Sequence, residues 1–138
     1  MANMCYNEIE VWGDTARIEE LFKLVKSDES LFDFNNIVPQ PDGLENTYGW
    51  NCEHWGTKWN SMDADYLFIS QDDPKRTISF NTAWDPCIPV IAELAKKFPE
   101  LDIFYTYSEE GFDFSGLRRY SKGELIEERD GEYGVYCR

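Results

Sequence analysis

The segment from Trp50 to Asn60 contains the residue types best suited to forming a specific binding site. Three of the five tryptophans of the chain lie in it, and Lys58 is the only Lys or Arg between Lys26 and Lys75. Indole faces attract cations, and tryptophans often supply much of the binding energy of protein interfaces. The segment therefore predicts a binding surface that includes Trp50, Trp55, Thr57, Lys58, Trp59 and Asn60.

Two interpretations of these aromatic residues are open. Side chains alternate along a strand, so an extended backbone over 55–60 would place Trp55, Thr57 and Trp59 on one face and Lys58 on the other. Because tryptophans dominate cores as well as interfaces, Trp55 and Trp59 also fit a buried cluster with Trp84. In the binding interpretation one indole and Lys58 stay exposed, and polar residues near Trp84 form the rim, namely Asn81 and Asp85.

Acidic side chains cluster towards the C-terminal end of the sequence. They comprise Glu109, Glu110 and Asp113, followed by Glu124, Glu127, Glu128, Asp130 and Glu132. Solvated turns and sheet faces account for many such runs, and a carboxylate pair in a cleft would also fit glycosidase chemistry. A further hypothesis is that the carboxylates imitate phosphates and occupy the nucleic-acid channel of a host enzyme.

Four cysteines and one histidine are the other candidates for chemistry. The cysteines are far apart in the sequence and include no Cys-x-x-Cys pair, so we expect reduced thiols rather than disulfides or zinc ligands. Cys52 and His54 are two residues apart, but a cysteine nucleophile also needs an orienting group and an oxyanion hole, which the sequence does not identify. We predict neither a cofactor nor a metal.

The charge of the chain narrows the range of partners. Its 138 residues include 27 Asp and Glu against 13 Lys and Arg, a net charge of −14. Affinity for DNA or RNA depends on basic side chains that displace counterions, so direct nucleic-acid binding is disfavoured. The negative charge favours binding to basic surfaces of other proteins. A net charge of this size also keeps a protein soluble without any such partner. With no apolar run of about 20 residues and no signal pattern, a cytoplasmic protein is expected, away from membranes.

Apolar periodicity predicts the first and central elements of the fold. Tyr6–Trp12 alternates as a half-buried strand does, and Asp14 can cap a helix with apolar positions Ile18, Leu21, Phe22 and Val25. A short extended piece at Phe32–Val38 and a long loop to Asn60 should follow. Next comes a hairpin with strands Tyr66–Ser70 and Thr77–Thr82 joined across Asp72-Asp73-Pro74. A helix follows from about Pro86 or Pro89 to Lys97, which Asp85 can cap and Pro99 ends.

Alternation then predicts the remaining strands, at Leu101–Tyr107, Phe114–Tyr120, Glu124–Glu128 and Tyr133–Cys137, the last two separated by a turn at Asp130-Gly131. The order β-α-β-β-α-β is that of the ferredoxin-like split βαβ unit, an α+β fold, here with additional C-terminal strands. Two helices packed on one face of an antiparallel sheet would bury both apolar stripes. We expect residues 1–138 to form a single domain, whose edge strands would also allow a homodimer.

Four motifs then suggest a family. In order, they are Cys5-Tyr6-Asn7, Phe32-Asp33-Phe34-Asn35 with Ile37-Val38-Pro39, Trp55-Gly56-Thr57-Lys58-Trp59-Asn60, and Phe80-Asn81-Thr82-Ala83-Trp84. Together they resemble the YubB-like family of plasmid and prophage proteins, over most of the chain from Cys5 to about Tyr120. The resemblance implies a ferredoxin-like domain, a mobile-element setting and no assigned activity, and it supplies no catalytic residues.

Two classes of function follow from these observations. The favoured one is a non-enzymatic protein-binding factor of a phage, prophage or plasmid, which inhibits a host defence nuclease or other nucleic-acid-binding protein through an acidic, Trp-rich surface. The alternative is a small-ligand-binding protein or enzyme with an aromatic pocket around Trp55, Trp59 and Trp84. The enzyme interpretation is the weaker because the single histidine has no visible partner and no phosphate-binding glycine loop occurs in the sequence.

Overall fold

A six-stranded antiparallel sheet organises the protein, whose computed structural model describes residues 3–67 and 76–133. The strands are β1 (Met4–Trp12), β2 (Met62–Leu67), β3 (Arg76–Ala83), β4 (Asp102–Glu109), β5 (Phe114–Ser121) and β6 (Glu124–Gly131). Their order in the sheet is β2-β3-β1-β4-β5-β6. The helices are α1 (Thr15–Val25), α2 (Thr47–His54) and α3 (Ile88–Lys97), with a short 3-10 helix at Phe34–Asn36.

Strand β1 lies at the centre of the sheet, and its alternate residues Ile9 and Val11 enter the apolar core. Ile9 pairs with Ile78 on β3 and with Tyr105 on β4, and all three side chains are buried in the core. The helices pack on this face. The opposite face carries Tyr6 and Trp12, both partly exposed, but Glu8 and Glu10 between them are buried. The middle of β1 is therefore buried on both faces, and the prediction of a half-buried strand is wrong there. None of the helices in the described ranges has the length and apolar run needed to span a bilayer.

Helices α1 and α3 bury the apolar stripes that periodicity predicted. The Asp14 carboxylate accepts a hydrogen bond from the Arg17 backbone N–H at 3.3 Å and caps α1, as predicted. The prediction that Asp85 caps α3 is wrong, because the helix begins at Ile88 and its N-cap position is Cys87, which makes no side-chain cap bond. Pro89 in the first turn supplies the pre-set φ angle instead.

The central strands and the helices α1 and α3 form the predicted ferredoxin-like α+β fold. Both strand neighbours of β1 run antiparallel to it, and β5 and β6 extend the sheet beyond β4. A turn at Asp130-Gly131 was wrongly predicted, since β6 continues through Gly131. The predicted turn Asp72-Asp73-Pro74, the strand end at Ser70 and residues 134–137 of the last predicted strand lie outside the described residues.

Residues 32–60 differ most from the sequence prediction. Phe32–Val38 is not a strand, because the Asp33 carboxylate accepts from the Asn35 backbone N–H at 2.9 Å and starts a 3-10 turn. The predicted long loop contains α2, capped by the Asn46 side chain, which accepts from the Gly49 N–H at 2.9 Å. Asn51 is the buried residue of α2, so the helix shows no apolar stripe that a periodicity argument could detect.

A buried hydrogen-bond network joins the strands to the start of α3. The Tyr105 hydroxyl donates to the Asn7 side-chain oxygen and accepts from the Cys87 backbone N–H at 3.1 Å. The Asn7 side-chain amide in turn donates to Thr82 Oγ1 at 2.9 Å. Since all four residues are buried, these bonds satisfy polar groups that have been removed from water.

We expect Tyr105→Phe to lower the free energy of unfolding by about 2–4 kcal/mol, because it leaves the Asn7 oxygen and the Cys87 N–H without the hydroxyl. Urea denaturation followed by circular dichroism measures the change. Tyr48→Phe is the matched control, since Tyr48 is 61% exposed and its change should stay within about 0.5 kcal/mol. Equal stabilities for the two variants would contradict a structural role for the Tyr105 hydroxyl.

An ion pair fixes β6 to β5 and β4. Arg118 on β5 donates to both carboxylate oxygens of Asp130, at 3.0 and 3.1 Å, and Asp130 also accepts from the Tyr107 hydroxyl. Gly116 permits this approach, because a Cβ there would lie 2.5 Å from the Asp130 carboxylate. The hydrogen bonds from Arg118 and Tyr107 hold the pKa of Asp130 below its ordinary value of 3.8, although desolvation opposes them.

The lowered pKa of Asp130 predicts a pH-dependent contribution to stability. A carboxyl group with a folded pKa below its unfolded pKa stabilises the fold above pH of about 4, and the contribution is lost as pH falls through the folded pKa. Asp130→Asn should therefore cost about 1 kcal/mol or less at pH 7, since the carboxylate is 59% exposed, and less still at pH 3. Urea denaturation at both pH values tests this, with Asp42→Asn, in an exposed loop, as control.

Candidate functional site

Trp55 and Thr57 are buried, so neither belongs to the predicted binding surface, and Trp55 lies in the core as the alternative interpretation of the aromatic residues expected. Trp55 is 1% exposed, packs edge-on against Phe34 and donates its indole N–H to the Val38 carbonyl at 2.8 Å. Thr57 is 0% exposed. The alternation expected for 55–60 does not occur, because Gly56 turns the chain at φ +82°, in the left-handed region that favours glycine. Neither side chain is accessible to a partner, and both support neighbouring segments.

The remaining residues of the predicted surface have separate local partners. Trp50 is half-buried and stacks on His54, with ring centroids 4.3 Å apart. Trp59 is half-buried near Tyr48 and points its indole N–H at the Met62 sulfur, 3.1 Å away. Asn60 ties its segment to the 3-10 turn, since its oxygen accepts from the Phe34 N–H at 2.9 Å and its amide donates to Asp33 at 2.8 Å.

Lys58, Trp84 and Asp85 are brought together at the end of β3. The Lys58 ammonium lies 4.9 Å from the Trp84 ring centroid, a cation–π contact. Together with Phe112 and Phe114, these three residues line a groove of about 460 Å³, which we call the Trp84 groove. The Phe112 ring lies 5.4 Å from Trp84 and is 56% exposed. The groove is therefore partly aromatic and partly charged.

Trp84 has an unusual backbone conformation. Its φ of +68° lies in the left-handed region, where a bulky residue is strained, and such strain is commonly found at functional sites. Hydrogen bonds on both sides hold it: Thr57 donates to the Ala83 carbonyl at 2.6 Å, the Trp84 N–H donates to the Asn3 carbonyl at 2.8 Å, and Thr82 donates to the Asp85 carbonyl at 2.6 Å. The buried Thr57 thus holds the backbone next to Trp84 in place.

The indole nitrogen of Trp84 is a second unusual feature of the groove. It is buried and has no hydrogen-bond partner within the described ranges. Most buried indole N–H groups are paired, as that of Trp55 is. Strain and an unsatisfied donor therefore coincide in one residue.

Carboxylates dominate the electrostatics around the groove. Desolvation raises the pKa of Asp85, Lys58 opposes the rise, and the charge of Glu109 adds to it. Glu109 is 2% exposed and accepts from the backbone N–H groups of Gly111 at 3.0 Å and Phe112 at 2.5 Å, so it fixes the turn that presents Phe112. Burial raises the pKa of the nearby Cys5 thiol to about 12, which keeps it protonated.

The other predicted acidic residues lie on the β4–β5 turn and on β6, and most of them have local partners. Glu110 is exposed on the β4–β5 turn, and Asp113 on the same turn accepts from the Tyr133 N–H at 3.2 Å. On β6, Glu127 pairs with Arg119 at 2.8 Å and with Arg129 at 2.9 Å, and Arg118 pairs with Glu128 and Asp130. The row of carboxylates is therefore interrupted by arginines along β5 and β6.

Asn81 and the Cys52/His54 pair lie outside the groove. The Asn81 amide donates to Asp63 at 3.3 Å across the β2–β3 pair. Cys52 and His54 are both exposed on α2, where residues two apart do not face each other, and His54 contacts the Trp50 carbonyl at 3.0 Å. Within residues 3–67 and 76–133, no group of three or more His, Cys, Asp or Glu side chains is placed to hold a metal ion.

Comparison with known proteins establishes the family. The pattern of a family described as the ferredoxin-like domain in Api92-like protein matches residues 54–137. The chain belongs to this family. The match includes every lining residue of the Trp84 groove.

A curated relative supports the resemblance drawn from the motifs. The chain is 33% identical over 92 residues to the uncharacterized protein YubB of Escherichia coli strain K12. The alignment covers 66% of this Api92-like chain but only 62% of YubB, which is less than two thirds of that protein. The YubB-like resemblance is thus confirmed.

A solved structure confirms the fold of the family. The crystal structure of a protein api92 from Yersinia pseudotuberculosis superposes with a TM-score of 0.72 and covers 99% of this chain and 100% of that one. Since the two sequences are 11% identical, the likeness concerns the fold alone.

Thr57→Val should destabilise the protein by about 1–2 kcal/mol, because it removes the bond to the Ala83 carbonyl next to the strained residue. It should also shift the Trp84 indole signal in a ¹⁵N NMR spectrum. Thr47→Val, at the exposed first position of α2, serves as the control and should leave both unchanged. An unaltered Trp84 signal in Thr57→Val would show that Thr57 does not position the ring.

Proposed function

We propose that the protein is a non-enzymatic binding protein that uses the Trp84 groove, with the acidic residues around it, to hold a basic surface of a partner protein. The observation that carries this proposal is the strained Trp84, fixed beside an exposed Phe112 and next to Asp85 in the same groove. Aromatic side chains in a partly enclosed site are the usual energetic centres of protein interfaces.

The electrostatics favour a cationic partner surface. Lys58 is the one cation among the described lining residues. Asp85 lines the groove, Glu109 lies close enough to raise the pKa of Asp85, and Glu110 is exposed on the turn that carries Phe112. The net charge of −14 would also steer the chain towards positive surfaces and raise the rate of encounter. Proteins that bind nucleic acids carry such surfaces, so a host defence nuclease or another nucleic-acid-processing protein fits the proposal.

The biological setting comes from the YubB-like resemblance, which implies a plasmid or prophage protein. Small acidic proteins of mobile elements commonly blunt host defences, so inhibition of a cytoplasmic host protein is the role that we propose. The carboxylates of the β4–β5 turn support this role better than those of β6, because Arg118, Arg119 and Arg129 pair with the latter.

Affinity capture from a lysate of the host cell tests the proposal. We expect tagged wild-type protein to retain a host protein, and Phe112→Ala to lose it by at least about tenfold, as a buried aromatic contact would. Tyr48→Ala is the matched control, because Tyr48 is a similarly exposed aromatic residue on α2, outside the groove.

The salt dependence of capture tests the electrostatic part of the proposal. Retention should fall as the salt concentration rises, since attraction between exposed charges is screened.

The two variants decide where the host protein binds. Loss of the host protein from both Phe112→Ala and Tyr48→Ala would place the contact elsewhere, and retention by both would exclude the groove.

A second candidate function is binding of a small ligand in the same groove. Its volume of about 460 Å³ lies in the range of small-molecule sites. The site differs from the pocket suggested by sequence, because Trp84 is joined by Phe112 and Phe114 rather than by Trp55 and Trp59. A change in tryptophan fluorescence on adding metabolites, without capture of a protein, would favour this candidate.

A further inference from the structure

The geometry points to an arginine side chain of the partner as the ligand of the Trp84 groove, stacked on the Trp84 indole in the place that Lys58 occupies in the free protein and paired with Asp85. This inference rests on the proposed function and names the chemistry of the group that is bound. It assigns Lys58 a role as an internal occupant that the ligand displaces.

The position of Lys58 supports displacement. Its ammonium lies 4.9 Å from the Trp84 ring centroid, so the free protein already places a cation on this indole. Lysine is a strongly hydrated point charge on a flexible stem, whereas a guanidinium is planar, less hydrated and stacks well on an aromatic face. An arginine can therefore replace the lysine on the same ring with a better fit.

The carboxylates support a guanidinium rather than a neutral group. Asp85 lines the groove. Desolvation and the charge of Glu109 raise the pKa of Asp85, and the nearby Lys58 ammonium lowers it. Glu109 is already engaged by the N–H groups of Gly111 and Phe112, which leaves Asp85 to pair with an incoming cation. A guanidinium can bind a carboxylate with two parallel hydrogen bonds while its face remains on a ring.

The aromatic walls set the shape of the site. Trp84 and Phe112 are tilted by 37° to each other, with centroids 5.4 Å apart, and Phe114 completes the lining. These rings give an apolar surface for the stem of an arginine, and the exposed Phe112 leaves one side open to a chain that approaches from solvent.

NMR titration of the purified full chain tests the inference. The probe is a blocked pentapeptide with two arginines, and its control is the same peptide with citrulline, which keeps the shape but has no charge. We expect the arginine peptide to shift the indole ¹⁵N–¹H signal of Trp84, identified by its loss in Trp84→Phe or by sequential assignment of the wild type. The citrulline peptide should leave this signal in place.

Two variants separate the roles of the charged residues. Lys58→Met should tighten binding of the arginine peptide by about two- to fivefold, because it removes the competing cation, and Asp85→Asn should weaken binding by a similar factor. Tyr48→Ala should bind as wild type does.

Three results would overturn the inference: equal shifts with both peptides, no shift of Trp84, or weaker binding by Lys58→Met. Failure here with Phe112-dependent capture of a host protein would leave the proposed function standing with a different ligand group. Binding of the arginine peptide without capture of any host protein would support the groove chemistry and count against the proposed function.

Discussion

The buried hydroxyl of Tyr105 is the point at which the strands, a helix and the candidate site are joined. It links β4 to Asn7 on β1 and to the Cys87 N–H at the start of α3, and Asn7 passes the connection on to Thr82 on β3. Thr82 then donates to the Asp85 carbonyl, so the chain of bonds ends beside the strained residue. Because each member has a defined donor or acceptor role, the network specifies one arrangement of strands and helix. The position of Trp84 therefore depends on the core.

The sequence predicts the elements whose stability comes from a regular apolar pattern. β1, α1, α3 and β4 each carry a regular apolar pattern on the face that packs into the core, and periodicity located all of them. Residues 32–60 fold by different means, since side-chain caps from Asp33 and Asn46 and the amide of Asn60 determine their shape. Such side-chain bonds leave no repeat in the sequence, and Asn51 alone is buried on α2. The wrong prediction of a strand at Phe32–Val38 has the same cause. The residues there favour a strand, but the side chain of a single aspartate, Asp33, starts a 3-10 turn.

Only part of the candidate site could be predicted from the sequence. Lys58, Trp84 and Asp85 stood out by residue type, and the fold places them together. Phe112 and Phe114 did not, because they lie in the β4–β5 turn and at the start of β5, 27 or more residues after Asp85, and approach β3 only through the β1–β4 pairing. Trp55 illustrates the opposite case, because a tryptophan in a conspicuous motif is buried. Its indole N–H donates to the Val38 carbonyl, and its ring packs edge-on against Phe34. Residue type identifies candidates, and long-range packing decides which of them meet solvent.

The fixed backbone around Trp84 has a consequence for the thermodynamics of any association at this face. Hydrogen bonds on both sides of residue 84 fix the backbone that carries the indole before a ligand arrives. A preorganised ring loses little conformational entropy on contact, so most of the entropic cost of binding would fall on the incoming molecule. Affinity at this face would then vary chiefly with the rigidity of the ligand, and a constrained loop would bind more tightly than a disordered tail of the same composition.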